Sequence, residues 1–237
     1  MAVKKEKKKH WFLQVDKDGY FVERRKEPAE GFEKVILKTP DGGEVVKYQQ
    51  KYDETSLGYF RNIYIKKVDF DKTTREFFVI EIDSDEGVDV ITLPLRDSRD
   101  NLTQYVKNFI RLLPNIDFSK KYKIIPSREK NDDGYVRKFL FVRDEDNNYL
   151  KFAISKEQIP TAVKKVRAGK EYWDFTEQDE YLWKVLEENL KRFKEHKENN
   201  SKETEDVSDV PKTEENNESS AEQTNPYNPD DFDDLPF

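Results

Sequence analysis

Residues 59–93, YFRNIYIKKVDFDKTTREFFVIEIDSDEGVDVITL, decide the fold expected for this chain of 237 residues. Aromatic and β-branched residues dominate 59–69, 75–83 and 88–93, mostly with a period of two, and the segments between them are polar. Such a pattern predicts β-strands joined by tight turns. The stretch therefore predicts three meandering antiparallel strands.

The period changes from two to 3.6 directly after this stretch. Asp97 or Ser98 is the predicted N-cap of a helix that ends at Pro114. One face of this helix is apolar and contains Leu102, Tyr105, Val106, Phe109, Ile110 and Leu113. Strand patterns return at 122–125, 135–143 and 149–154. The predicted order is three strands, a helix and two or three further strands. An oligonucleotide-binding five-stranded barrel has this order, and other small α+β folds share it.

The flanking segments complete the expected architecture. Residues 11–23 and 33–48 each predict a hairpin, with turns at 16–19 and 40–43. Residues 156–170 predict a short basic helix or loop broken by Gly169, and Thr176 is the predicted N-cap of a last helix. The expected fold class is mainly β (α+β): the barrel with extra N-terminal hairpins, one capping helix and a C-terminal helix. The predicted divisions are a basic flexible arm (1–10), the barrel domain (11–197) and a disordered acidic tail (198–237).

Composition restricts the function. The chain has no cysteine and two histidines, His10 and His196, so we expect no metal site, no cofactor and no histidine-based catalytic triad. No apolar run reaches the length of a membrane span, and the N-terminus lacks the apolar core of a signal peptide, so we expect a cytoplasmic protein without membrane contact.

Charge is distributed unevenly. Residues 198–237 contain 13 acidic and 2 basic residues, a net −11, whereas residues 1–197 contain 41 basic and 37 acidic residues, a net +4. A basic body joined to an acidic tail favours nucleic-acid binding by the body and partner binding or self-masking by the tail.

The last eight residues are acidic until an apolar end: Asp230, Asp231, Phe232, Asp233, Asp234, Leu235, Pro236 and Phe237. This ending resembles the tail tip of bacterial and bacteriophage single-stranded DNA-binding proteins. The resemblance implies that the tip recruits replication and repair enzymes such as a DNA polymerase, a helicase or primase, or a nuclease. A solubilising tail that ends in Phe is the alternative.

Binding of unpaired strands requires aromatic rings on which bases stack and cations along the backbone path. Alternation in 135–143 places Val136, Leu140 and Val142 on the core side and an aromatic and basic set on the other. The candidate single-stranded DNA-binding residues are Phe60, Arg61, Tyr64, Lys66, Lys121, Tyr122, Lys123, Tyr135, Arg137, Phe139, Phe141, Arg143, Tyr149, Lys151, Lys164, Lys165 and Arg167. For the phenylalanines, a second core of a two-sided sheet remains the alternative.

The sequence therefore predicts a non-catalytic single-stranded DNA-binding protein that acts in DNA replication, recombination or repair, in the host-cell cytoplasm if a phage encodes it. One alternative is a metal-dependent nucleic-acid-processing enzyme such as a nuclease, with Glu81, Asp83, Asp85, Glu86 and Asp89 as candidate ligands. Another is an acidic-tailed interaction or chaperone protein. The sequence leaves the oligomeric state open, a homo-oligomer included.

Overall fold

The computed structural model describes residues 8–39, 42–70, 73–130, 132, 134, 136–167 and 169–205. The described chain is mainly β with two α-helices, as the sequence predicts, and most of its strands form one large mixed sheet. The strands are β1 (His10–Val15), β2 (Phe21–Arg25), β3 (Glu33–Lys38), β4 (Glu44–Tyr52), β5 (Gly58–Phe70), β6 (Thr73–Ser84), β7 (Val88–Pro94), β8 (Tyr122–Lys130), β9 (Val136–Asp144), β10 (Val163–Arg167) and β11 (Lys170–Asp174). The helices are α1 (Gln104–Leu112) and α2 (Thr176–Glu205).

The predicted meander is confirmed, since β5, β6 and β7 pair antiparallel in chain order. Nine strands form one sheet in the order β3-β4-β2-β1-β7-β6-β5-β8-β9, and β10 and β11 form a separate ribbon. The outer edge of β7 pairs with β1, in parallel, with His10 opposite Val88. The described strand order is therefore linear, and its ladders do not form a closed barrel.

Two parts of this sheet that lie far apart in the strand order nevertheless approach each other. The turn between β1 and β2 lies against β8, where the Arg128 guanidinium donates a hydrogen bond to the carbonyl oxygen of Lys17. Gly19 in this turn has φ +91°, and a Cβ atom there would lie 2.8 Å from the Cβ of Arg128. Glycine is required because only it allows this backbone conformation together with so close an approach.

The middle of the sheet is buried on both faces. Along β6, Phe78, Ile80 and Ile82 belong to the main core, which also contains the apolar faces of α1 and α2. Phe77 and Val79, which alternate with these residues along β6, belong to a second cluster on the opposite face. Alternate side chains of one strand thus pack into two separate cores, as strand geometry requires.

The predicted helix boundaries need correction. Helix α1 begins after Thr103, because the Asp97 carboxylate instead accepts hydrogen bonds from the backbone N–H groups of Arg99 and Asn101 and so closes its own turn. Helix α2 starts at Thr176, whose N–H and hydroxyl both donate to the Asp174 carboxylate. It continues to Glu205, so the first eight residues of the predicted tail are helical. Residues 206–237, the predicted tip among them, lie outside the described residues.

Two further predictions are wrong at the level of local structure. Residues 149–154 are not a strand, and only an isolated bridge joins Tyr149 to Arg143. Residues 156–170 form a short 3-10 turn (Lys156–Gln158) and strand β10 in place of a basic helix or loop. Gly169, with φ +74°, provides the turn of the β10–β11 ribbon because glycine adopts positive φ without steric cost. No helix of the described chain is long and apolar enough to cross a membrane.

Candidate nucleic-acid interface

Alternate side chains of β9 lie on opposite faces of the strand, as the sequence pattern predicts. Leu140 and Val142 are fully buried in the main core. Phe139 and Phe141 are half-buried on the opposite face and belong to neither core. In the β8–β9 ladder, Ser127, Ile125 and Lys123 lie opposite Phe139, Phe141 and Arg143. Arg137 is exposed towards the far end of the strand, and Tyr135 lies outside the described residues.

Three rings of this face form a continuous row, which we call the aromatic row: Phe139, Phe141 and Tyr149. The centroids of Phe139 and Phe141 are 5.7 Å apart with an interplanar angle of 19°, and those of Phe141 and Tyr149 are 5.8 Å apart at 76°. Tyr149 is 58% exposed, whereas the two phenylalanines are half-buried. The row therefore presents one largely accessible ring continuous with two partly accessible ones.

Two cations stand beside the aromatic row. The guanidinium of Arg143 lies 5.9 Å from the centre of the Tyr149 ring and 2.5 Å from a carboxylate oxygen of Glu54. The ammonium group of Lys123, directly across the ladder, contacts the other oxygen of the same carboxylate. A single carboxylate thus fixes both cations in place. Because all three side chains are partly exposed, solvent screens these ion pairs, and a phosphate group can compete for the cations.

The prediction that Phe60 faces outward is wrong. Pairing between β5 and β6 shifts register between Phe60 and Asn62, so Arg61 is an extra residue that reverses the alternation. Phe60 consequently lies in the main core, with its ring centroid 6.2, 6.0 and 5.8 Å from those of Phe109, Phe118 and Tyr122.

The other predicted residues of β5 do lie on its outer side. The Tyr64 hydroxyl donates to the Glu81 carboxylate at 3.3 Å, and burial together with this negative charge raises the pKa of Tyr64 to about 12. The guanidinium Nε of Arg61 lies 3.8 Å from the same carboxylate. Lys66 is half-buried, and burial lowers the pKa of its ammonium group.

The basic run at the start of β8 contributes cations but not its aromatic ring. Tyr122 is buried in the main core, and its hydroxyl accepts a hydrogen bond from the Asp117 N–H at 3.2 Å. It cannot stack on a base, which corrects that part of the prediction. The ammonium group of Lys121 lies 5.5 Å from the centre of the exposed Tyr59 ring. Lys151 is exposed beyond the aromatic row.

The predicted residues Lys164, Lys165 and Arg167 lie on the β10–β11 ribbon. Sequence reasoning missed two aromatic residues there, Tyr172 and Trp173, which are 40% and 54% exposed. Trp173 is opposite Lys164 and Tyr172 is opposite Lys165. The sequence does contain a signal for this hairpin: two segments of five residues, 163–167 and 170–174, lie on either side of Ala168-Gly169.

The ribbon also has acidic residues that pair with its lysines. Lys164 contacts Glu171, and Lys165 contacts Asp174. Hydrogen bonds from Lys165 and Thr176 hold the pKa of the Asp174 carboxyl well below its usual range. Asp174 therefore joins the base of the ribbon to the first turn of α2.

The carboxylates named for the enzyme alternative do not converge. The Asp83 carboxylate contacts Lys8 on the outer face of β6. Asp89 shares the side of β7 that faces the main core, where it accepts a hydrogen bond from the Ser56 N–H at 2.7 Å and where burial raises its pKa. Among the described residues, no group of three or more His, Asp or Glu side chains is placed to hold a metal ion.

Comparison with known proteins supplies no relative from which a function could be transferred. No family model, no curated protein and no solved structure matches this chain. The candidate interface is therefore defined by its own chemistry. Its residues lie in three parts of the fold. The first is the β8–β9 hairpin with Tyr149 just after it, which together carry the aromatic row, Lys123 and Arg143. The second is β5 with Arg61, Tyr64 and Lys66, and the third is the β10–β11 ribbon.

Proposed function

We propose that this chain is a non-catalytic single-stranded DNA-binding protein that coats and protects unpaired DNA during replication, recombination or repair. The observation that supports this most strongly is the aromatic row with Lys123 and Arg143 at its side. Stacking of bases on aromatic rings and neutralisation of phosphates by nearby cations together give binding to single strands without sequence preference. Both kinds of group are present on one face of the β8–β9 hairpin and of the residue Tyr149 that bridges to it.

In this proposal the rings and the cations act on different parts of the strand. A base stacks on the exposed Tyr149 ring, and neighbouring bases contact the half-buried rings of Phe141 and Phe139. Stacking contributes about 1–3 kcal/mol per base. Phosphates meanwhile replace Glu54 as the partner of Lys123 and Arg143. Since this exchange releases counterions from the DNA, affinity falls as salt is added.

The order of the elements supports a relation to the oligonucleotide-binding barrel. Strands β5, β6 and β7, helix α1, and strands β8 and β9 follow one another as in that fold. Strand β5 also pairs with β8, through Gly58 and Tyr122, as the first and fourth strands of such a barrel do. In this proposal β1 occupies the β7 edge at which a closed barrel would continue.

The tail supplies the second half of the proposed function. Its tip, residues 230–237, combines four aspartates with Phe232, Leu235 and Phe237. An extended acidic peptide with an apolar end fits a shallow apolar pocket rimmed by Arg or Lys on another protein. The proposed partners are replication enzymes of the cytoplasm, such as a polymerase, a helicase or primase, or a nuclease.

Titration of the full-length protein with oligo-dT tests this proposal. Tryptophan and tyrosine fluorescence should be quenched on binding, and the logarithm of the binding constant should fall linearly with the logarithm of the salt concentration. Failure to bind oligo-dT in dilute buffer would refute the proposal. Magnesium-dependent cleavage of the oligonucleotide would favour the enzyme alternative, and binding to basic proteins but not to oligo-dT would favour the chaperone alternative.

A further inference from the structure

The outermost strand of the sheet, β3, has an exposed apolar side chain and a free edge. It is last in the strand order, so β4 pairs with one of its edges and no strand of the described chain pairs with the other. Ile36 is 60% exposed, and Val46, directly opposite it in β4, is 44% exposed. An exposed apolar edge strand is a place where another extended segment can add to a sheet. The free edge of β3 is therefore a candidate docking site.

Two lysines lie on either side of this apolar pair. Lys34 and Lys38 precede and follow Ile36 by two residues, so the three side chains share one face of β3. Both lysines are exposed, and neither forms an ion pair within the part of the chain that the structure describes. This includes Glu44, the strand partner of Lys38. We call Lys34, Ile36, Lys38 and Val46 the edge patch, whose order along β3 is basic, apolar, basic.

The C-terminal tip has the complementary order. Asp230, Phe232 and Asp234 follow one another at intervals of two, so an extended chain places them on one side as acidic, apolar, acidic. Within residues 206–237, two carboxylates spaced in this way around an apolar side chain occur only at 230–234. Opposite charges, and an aromatic ring with a β-branched side chain, stabilise a sheet when they lie directly across from each other. The tip therefore matches the edge patch in both charge and spacing.

We infer that residues 230–234 add to the free edge of β3 of the same chain as an antiparallel strand. The cross-strand pairs are Phe232 with Ile36, Asp230 with Lys38, and Asp234 with Lys34. Asp231 and Asp233 then point to the other face of the sheet. Pro236, which has no N–H group to donate to a ladder, lies beyond the paired segment. The inference rests on the proposed role of the tip as a docking peptide but not on DNA binding, and it means that a partner enzyme must compete with β3 for the tip.

A second copy of β3 matches this edge less well than the tip does. Antiparallel pairing of two β3 strands about Ile36 sets Lys34 opposite the partner's Lys38, and the same contact occurs twice by symmetry. Like charges directly opposite each other destabilise a sheet. The tip replaces both of these contacts by pairs of opposite charge, which favours the tip as the occupant.

The length of the tail permits this contact. Helix α2 passes β5 near its C-terminal end, where the Lys197 ammonium group donates to the Asn62 side chain at 2.8 Å. Strand β3 lies six strands from β5 in the sheet order, or about 29 Å at roughly 4.8 Å per strand. Residues 206–229 are 24 residues between α2 and the tip. Such a segment spans about 25–29 Å root-mean-square as a flexible chain and about 80 Å when extended, so it can bring the tip to β3.

An engineered disulfide tests the inference on the full-length protein, because the chain has no cysteine of its own. Ile36→Cys and Phe232→Cys are introduced together, which keeps both proposed charge pairs. Residues directly opposite each other in a ladder are close enough for a disulfide to form. The matched control combines Phe232→Cys with Lys184→Cys on the exposed side of α2. Under mild oxidation, the disulfide within one molecule should form at least about tenfold faster at Ile36 than at Lys184, measured by mass spectrometry and corrected for the reactivity of each thiol with a small disulfide.

Two charge variants of this thiol pair test the register. Asp230→Asn with Asp234→Asn removes the aspartates that face the lysines, and it should slow the disulfide at least about threefold. Asp231→Asn with Asp233→Asn removes the same charge from the other side of the extended segment and should change the rate little. Equal slowing by the two variants would reduce the contact to general attraction between the tail and the body, and would overturn the inference.

A charge swap tests the two lysines. Lys34→Glu with Lys38→Glu should slow the disulfide at least about threefold, and the further addition of Asp230→Lys and Asp234→Lys should restore the rate. If the lysines can be reversed without slowing the disulfide, or if the swap fails to restore the rate, they serve only to keep an exposed edge from pairing, and the inference is overturned.

The site and the identity of the two linked chains supply the remaining tests. Equal rates at Ile36 and at Lys184 would mean that the tip has no preference for β3 and would overturn the inference. A disulfide that forms mainly between two molecules would assign the tip to a second copy and overturn the contact within one chain.

Oligo-dT binding by the reduced form of the same protein separates this inference from the proposed function. A protein with Ile36→Cys and Phe232→Cys that binds oligo-dT but forms its disulfide no faster than the control would refute the docking edge alone. One that forms the disulfide rapidly but does not bind oligo-dT would support the docking edge and refute the DNA-binding proposal.

Discussion

The β8–β9 hairpin and the β10–β11 ribbon both place cations next to aromatic rings, but only the hairpin is anchored. One face of the hairpin, with Ile124, Leu140 and Val142, is fully buried in the main core. In the ribbon every described side chain except that of Asp174 is exposed. Local sequence is similar in the two, since each has lysine, arginine, valine and aromatic residues, so the difference arises from what packs beneath the strands.

Under the proposed function, this difference would give one chain two ways to hold a nucleic acid. The hairpin presents rings and cations whose positions are set in advance by the core and by Glu54, which lowers the entropy lost on binding. The ribbon presents its rings on β-strands that have no buried face. In the proposed function it could therefore adapt to an irregular DNA strand, but its side chains would lose more entropy on binding. Each of the following predictions tests one side of this contrast.

The largest expected effect concerns stability. Leu140→Ala should lower the free energy of unfolding by about 2–5 kcal/mol, because it opens a cavity beneath the hairpin. Urea unfolding would measure this. Trp173→Ala in the ribbon is the control and should change stability by less than about 0.5 kcal/mol. A large loss for Trp173→Ala would show that the ribbon is packed in the folded protein and is anchored as the hairpin is.

The next effect concerns DNA affinity. Tyr149→Ala and Trp173→Ala should each weaken oligo-dT binding by about 1–3 kcal/mol, or roughly 5- to 150-fold. Tyr20→Ala, which removes an exposed ring from the β1–β2 turn, is the matched control and should change affinity little. Loss of affinity for Tyr149→Ala alone would restrict the interface to the hairpin, and loss for Trp173→Ala alone would move it to the ribbon.

A smaller effect should follow from the carboxylate that holds the hairpin cations. Glu54→Gln removes one negative charge beside Lys123 and Arg143, so oligo-dT affinity should rise about two- to fivefold at low salt, corresponding to about 0.4–1 kcal/mol. Glu171→Gln is the counterpart of this variant in the ribbon, because it removes one negative charge beside Lys164. Lower affinity for Glu54→Gln would mean that the carboxylate is needed to position the two cations, and that its competition with phosphate is minor.

The smallest effect is the pH dependence of the ribbon base. The pKa of Asp174 is held below that of an unfolded aspartate, so its ionised form stabilises the folded state above about pH 4 and this contribution is lost as the pH falls further. The stability difference between the unchanged protein and Asp174→Asn should therefore be constant above pH 4 and shrink below it. A difference that grows on acidification would contradict the pairing of Asp174 with Lys165 and Thr176.

Most strands and both helices could be predicted from the sequence, because alternation and helical spacing report directly on burial. Leu140 and Val142 illustrate this, and so do Val106 and Phe109 of α1. The period of two also distinguishes the two faces of β9, so the sequence correctly predicts that Phe139 and Phe141 lie on the side away from the main core.

The failures have local physical causes. A bulge such as that at Arg61 adds one residue without any change in composition, and every side chain before it then changes face. Asp97 is as good an N-cap residue as Thr103, and what decides between them is that Asp97 closes its own turn. The ribbon was missed because Val163–Arg167 is exposed on both faces, so no apolar alternation marks it as a strand.

The parallel pairing of β1 with β7 also determines when the first strand can find its place during synthesis. His10 pairs with Val88, 78 residues further along the chain. At about 5–20 residues per second, a ribosome needs roughly 4–16 s to make that interval. During this time the β7-facing edge of β1 has no strand to bond with, and an unpaired edge is a template for association with other chains. The nascent protein is consequently expected to associate with other chains more readily before its ninetieth residue emerges than after it.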